Sequence, residues 1–235
     1  MTIKVLVVDD SLFMRKIISD VLNLDKAIEV IDTAENGLTA IEKIKKLKPD
    51  VVTLDIKMPD ISGLDVLNEV MEKYPTPVVI LSAYSKEGSS EAILAYEYGA
   101  VEVLTKPSGE VSLDLKKIKE KIIRAVKLAS IIDINKLVLR REIKIIKFPS
   151  QTKKELVVIG ASTGGPQAVF SVITELPKNF PVPVLVVQHM PELFTESFAK
   201  RLNSRAQLRV KLAEQGEILE QGRVYVAPGD IILKL

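Results

Sequence analysis

The chain has 235 residues, of which 47% are apolar and 27% charged, with a net charge of +2 and no cysteine. That mixture suits a folded α/β protein of one large or two ordinary domains, and it excludes disulfides, thiolate metal centres and cysteine nucleophiles. The small net charge implies no polyanionic partner. The first apolar run is too short for a signal peptide, and no stretch approaches a membrane span.

Residues 3–8 (IKVLVV) are short, β-branched and flanked by polar residues, the pattern of a buried parallel strand. A helix follows, with Ser11 as its cap and Phe13, Ile17, Val21 and Leu24 as its apolar repeat. The alternation continues with strands expected at 28–32, 51–54, 78–81 and 101–104, and helices near 37–47, 63–73, 87–98 and 113–130. Five βα units in succession predict an open, doubly wound sheet. Residues 116–154 are rich in Lys and Arg, which reads as a solvated helix face running into a linker. A second α/β pattern begins at 156. It has a strand at 156–160, a helix after Gly165, a strand at 182–188, a helix near 192–203, and short strands near 208–213 and 223–226.

Ligands of open parallel sheets bind at the carboxyl ends of the strands. Those ends carry Asp9 and Asp10 after the first strand, Asp55 on the third, Ser82 on the fourth, and Thr105, Lys106 and Pro107 on the fifth. Three converging carboxylates repel unless a cation neutralises them, and a hard, oxygen-liking ion such as Mg²⁺ fits that donor set. The chemistry such a crevice supports is phosphoryl transfer to a carboxylate. Lys106 and the Ser82 hydroxyl are then placed to pair with the phosphoryl oxygens. Alone, an Asp-Asp pair is often a helix cap and a Lys-Pro pair a turn; four of the five strand ends carrying the set argue against both.

The pieces VLVVDDS (5–11), LDIKMPDISGLD (54–65), LSA (81–83) and GAVEVLTKP (99–107) resemble the receiver domain of two-component response regulators. The resemblance implies a five-stranded flavodoxin-like receiver over residues 1–125. It makes Asp55 the phosphoryl acceptor and Asp9, Asp10, Asp55 and the backbone carbonyl of Lys57 the Mg²⁺ site. Ser82 becomes the switch hydroxyl, Lys106 the partner lysine, and the bond to Pro107 is expected to be cis. The switch position on the fifth strand, often aromatic, is Val103 here.

VVIGASTGGP (157–166) places Gly160, Ser162 and Gly164 in a G-x-S-x-G turn between strand and helix. Such a turn exposes a nucleophilic hydroxyl and aims backbone N–H groups at an oxyanion. A dinucleotide-binding loop would instead require an acidic residue about twenty positions later, at the end of the next strand. That strand ends in Gln188 and His189, the single histidine of the chain. Serine and imidazole at neighbouring strand ends are the pair that nucleophilic catalysis needs. After Asp133 the only aspartate is Asp230, so an orienting acid is not evident.

IGASTGG (159–165), VVQHMP (186–191) and VYVAPGD (224–230) resemble the catalytic domain of the chemotaxis protein-glutamate methylesterase family, in which a receiver precedes this domain. The resemblance implies a Rossmann-like parallel α/β domain over 155–235, joined by a linker at 126–154. By it Ser162 is the nucleophile, His189 the general base, and Thr163, Gly164 and Gly165 form the active-site turn, with no cofactor in this domain. The family's third catalytic residue is an aspartate beyond the APG turn, so the chain is expected to be a C-terminally truncated member with an incomplete second domain. The implied reaction is hydrolysis of glutamate methyl esters, and deamidation of glutamines, on methyl-accepting chemotaxis receptors. A chemotaxis histidine kinase would be the phosphodonor. An unphosphorylated receiver would cover the site, and the protein would be cytoplasmic, with neither nucleic-acid binding nor membrane insertion. The alternative is a catalytically dead form acting as a phosphorylation-dependent binding module for kinase or receptor. A DNA-binding regulator ranks lower, because the second half is strand-rich and carries the glycine turn in place of a helix-turn-helix.

Overall fold

A computed structural model describes residues 2–82, 86–106, 114–134 and 155–229. The chain divides into two compact units, residues 1–139 and 140–235.

The first unit alternates β1 (Ile3–Val8), α1 (Leu12–Leu22), β2 (Ile28–Ala34), α2 (Gly37–Leu47), β3 (Val51–Asp55), α3 (Gly63–Lys73), β4 (Val78–Ser82), α4 (Lys86–Glu97), β5 (Glu102–Thr105) and α5 (Asp114–Ser130). The strands form one parallel sheet in the order β2-β1-β3-β4-β5. Val5–Val8, Val51–Leu54 and Val78–Leu81 are all buried, because a parallel sheet covered on both faces needs apolar residues on both. Three helices begin at side-chain caps: Ser11 accepts from the Met14 N–H, Asn36 from Thr39 and Ser62 from Leu64.

The apolar repeat expected for α1 is shifted. Phe13 is 67% and Leu24 68% exposed, whereas Ile18, Val21 and Leu22 are buried with Arg15 beside them. The buried stripe thus runs through 15, 18 and 22, one polar residue included, which masks it in a purely apolar count. α5 continues past residue 125 to Ser130, because Ile122, Ala125, Val126 and Ala129 form one buried stripe. Among the described residues no helix is long and apolar enough to cross a membrane.

The second unit contains β6 (Val157–Ala161), α6 (Gly165–Glu175), β7 (Val184–Gln188), α7 (Glu192–Arg205), β8 (Arg209–Leu212) and β9 (Arg223–Val226). Its sheet is parallel, in the order β6-β7-β9-β8. β7 starts two residues later than expected because Pro183 has no N–H for the ladder; its carbonyl still accepts from Val157. α6 and α7 meet through Phe170 and Phe198, edge to face with ring centroids 5.3 Å apart.

Candidate functional sites at two sheet rims

In the first unit the strand order reverses between β1 and β3, the crevice where open α/β sheets bind ligands. Val8 pairs with Leu54, so the next residues, Asp9 and Asp55, emerge side by side. One carboxylate oxygen from each of Asp9, Asp10 and Asp55 lies within 4.8 Å of the other two. Asp9 and Asp55 are buried and Asp10 is exposed. Lys106, just past β5, reaches across: its Nζ is 2.6 Å from Asp55 and 2.8 Å from Asp9. Burial pushes the Asp55 carboxyl above its ordinary pKa, against the pull of Lys106 and of the Lys57 backbone N–H that donates to it. Burial likewise opposes the charge on Lys106, but its two carboxylate partners outweigh it and hold its pKa up. One lysine against three carboxylates leaves the crevice negative. An all-oxygen, under-neutralised donor set fits a hard divalent cation, and the cluster could hold one.

Ser82 ends β4 with its backbone in register with Thr105, which places it at the same rim. Val103 is buried. The expected cis bond at Pro107 lies outside the described residues, as does Asp230.

Three residues to which the motifs assign no role support this crevice. The Arg15 guanidinium is buried and its Nη1 donates to the backbone carbonyls of Asp9 at 2.7 Å and Asp10 at 3.0 Å. It therefore clamps the loop that presents two of the three carboxylates. Asp60 accepts from the N–H groups of Gly37 and Leu38, both at 2.9 Å, and so caps α2 from the loop after β3. Those hydrogen bonds, that from Leu38 first, hold its carboxyl down at about 2. Gly63 is pressed against β3: a Cβ there would stand 2.0 Å from the Asp55 carbonyl oxygen. Only for Arg15 did the sequence carry a sign, a lone basic residue in phase with an apolar stripe.

In the second unit Ala161 pairs with Gln188 at the ends of β6 and β7. Ser162 and His189 are the next residues on each strand, and the His189 N–H donates to the Ala161 carbonyl at 2.9 Å. Both residues are exposed at the carboxyl rim. The turn after Ser162 is tight: the Gly165 N–H donates to the Ser162 carbonyl at 2.7 Å, and Gly164 has φ of 72°. That left-handed conformation favours glycine, and α6 begins immediately beyond it with Pro166 in its first turn. Ser162, Thr163 and the N-terminus of α6 thus share one corner with His189. Gln188, to which the motif gave no role, lies buried beneath this corner.

Residues 157–235 match the CheB methylesterase family and residues 5–118 the response regulator receiver domain family. A protein-glutamate methylesterase/protein-glutamine glutaminase of Geobacillus kaustophilus is 48% identical over 237 residues, covering 99% of this chain and 68% of its own length. One from Pyrococcus abyssi is 46% identical over 235 residues, covering 97% of this chain and 64% of its own. The chain thus spans about two thirds of the length of the curated relatives it matches. The crystal structure of the response regulator domain of Thermotoga maritima CheB superposes with a TM-score of 0.52 at 39% identity, covering 57% of this chain and 99% of that domain.

Proposed function

The chain belongs to the protein-glutamate methylesterase/protein-glutamine glutaminase family, and on that premise we propose that it is a chemotaxis response regulator whose receiver, phosphorylated on Asp55, controls a serine hydrolase acting on chemoreceptor glutamate methyl esters and glutamines. The observation that carries the reading is Lys106 bridging Asp55 and Asp9 at the switch point of the first sheet. The Lys106 ammonium, bonded to Asp55, is within reach of a phosphoryl group carried on that carboxylate, which supports the reading.

Asp9, Asp10, Asp55 and the Lys57 carbonyl would hold Mg²⁺, which when bound supplies positive charge to the transferring oxygens. The Asp55 carboxylate attacks the phosphorus of a phosphohistidine on a chemotaxis kinase, and the imidazole leaves. Lys106 shifts from the carboxylates to a phosphoryl oxygen, and the Ser82 hydroxyl donates to another. In the second unit, the Ser162 hydroxyl attacks the ester carbonyl while His189 takes its proton. Backbone N–H groups of this turn other than that of Gly165, which is held by the Ser162 carbonyl, stabilise the oxyanion. His189 returns the proton to the departing methanol, and water then releases the glutamate by the same route. Phosphorylation raises this rate by shifting a two-state equilibrium of the receiver. The segment that follows α5, beyond Ser130, is the connection between receiver and hydrolase in this reading.

Acetyl phosphate as a small phosphodonor tests the first half. The protein should gain one phosphoryl group at Asp55 with Mg²⁺, and none with a chelator or after Asp55→Asn. Methanol release from methylated receptor membranes tests the second half, and Ser162→Ala should abolish it. Phosphoryl uptake that survives Asp55→Asn, or methanol release that survives Ser162→Ala, would overturn the corresponding assignment.

A further inference from the structure

Gln188 ends β7 where an apolar residue would be expected. Alternation along the strand puts Val184, Val186 and Gln188 on one face, and all three are buried. The Gln188 amide nitrogen donates to the Ser162 carbonyl at 3.0 Å and to the His189 carbonyl at 3.1 Å. One buried side chain therefore joins the backbone of both residues at the corner. The Ser162 carbonyl also accepts from Gly165, so it is held from two directions.

A peptide unit is planar and trans, so the Thr163 N–H points opposite to the Ser162 carbonyl. Drawing that carbonyl to Gln188 therefore also fixes the orientation of the Thr163 N–H within the same peptide. Gly165 permits the reach: a Cβ there would stand 2.2 Å from Gln188 Oε1. The arrangement has a cost, because Gln188 Oε1 is buried without a hydrogen-bond partner. A buried unsatisfied acceptor costs about 1–3 kcal/mol, which an apolar side chain at this position would avoid.

We propose that Gln188 is the positioning residue of this corner: it fixes the Ser162–Thr163 peptide beside the nucleophile, and it ties the His189 backbone to the same peptide. The proposal rests on Ser162 being the nucleophile, and one experiment separates the two. An alkyl fluorophosphonate is reacted with the full 235-residue chain. Ser162 Oγ forms a bond to phosphorus, fluoride leaves with the P–F electron pair, and the serine proton passes to His189. Labelling is read by mass spectrometry over a range of probe concentrations, with folding checked by circular dichroism.

Wild-type protein should label at Ser162 and Ser162→Ala should not; an unlabelled wild type overturns both the nucleophile and the proposal built on it. Given labelling, Gln188→Met removes the donor while nearly keeping the volume. It should lower the maximal rate about ten- to a hundredfold and leave the half-saturating probe concentration unchanged, somewhat less than outright loss of an oxyanion donor. Gln188→Glu turns a carboxylate toward two carbonyls, but its protonated form keeps one donor. Its rate relative to wild type at the same pH should therefore climb as pH falls, while the Gln188→Met ratio stays flat. Wild-type rates in both variants, or parallel pH ratios for the two, would overturn the positioning role. If Gln188→Met does not fold, the Gln188→Glu pH ratio decides alone.

Discussion

Lys106 Nζ lies 2.6 Å from Asp55 Oδ2, and this pair is the pivot of the receiver crevice. The same ammonium reaches Asp9 at 2.8 Å, so a single cation answers for two buried carboxylates. Lys106→Met would leave those carboxylates facing each other. Breaking a buried pair by removing one partner costs about 3–5 kcal/mol, and the partial exposure of this lysine argues for the lower end. The expected loss of receiver stability without metal is therefore about 3 kcal/mol in urea unfolding. A divalent cation that binds only the folded crevice adds stability by mass action. Mg²⁺ should thus raise the stability of Lys106→Met by more than it raises that of wild type. An equal Mg²⁺ increment in both would show that the lysine and the ion do not share this charge.

Arg15 holds the Asp9 and Asp10 carbonyls with one guanidinium nitrogen. Lysine keeps the charge but not the planar fork, so Arg15→Lys separates geometry from electrostatics. Partners that orient metal ligands are commonly worth 10–100-fold in affinity, and Arg15→Lys should weaken Mg²⁺ binding by about tenfold. Amide chemical shifts followed through a Mg²⁺ titration measure it. An unchanged dissociation constant would mean that the loop holds its shape without the clamp.

Asp60 gives the receiver an acid-sensitive latch. Its carboxyl is held at about 2 in the folded chain, against an ordinary 3.8. A depressed acid stabilises the fold above its ordinary pKa, and that contribution is lost as pH falls through the folded value. Over the fall from about pH 5 to pH 2, wild type should lose more stability than Asp60→Asn, whose amide does not titrate. Urea unfolding at several pH values measures the difference. Parallel profiles would remove Asp60 from the acid response.

Much of this arrangement was legible in advance because it depends on local rules. Continuous β-branched runs predict buried parallel strands, and side chains just after them fall at the carboxyl rim. Asp9, Asp55 and Lys106 could thus be assigned to the carboxyl rim of one sheet before any distance was known, and Ser162 and His189 to the ends of two successive strands. The boundaries of β7 and the buried stripe of α1 were less legible, since a proline and an in-phase arginine break the apolar pattern. The side chains of Arg15, Asp60 and Gln188 bind backbone groups of other residues, which every residue possesses, so the motifs gave no sign of what these three hold.

The sequence by itself determined which side chains end each strand, because strand period and apolar runs are encoded residue by residue. Tertiary structure decided which strand ends are neighbours. The order β2-β1-β3 places Asp9 beside Asp55, and the pairing of β6 with β7 places Ser162 beside His189. Only the fold could decide that a guanidinium, a distant carboxylate and one buried amide hold those loops, because each does so through contacts between elements set by the packing of the whole sheet.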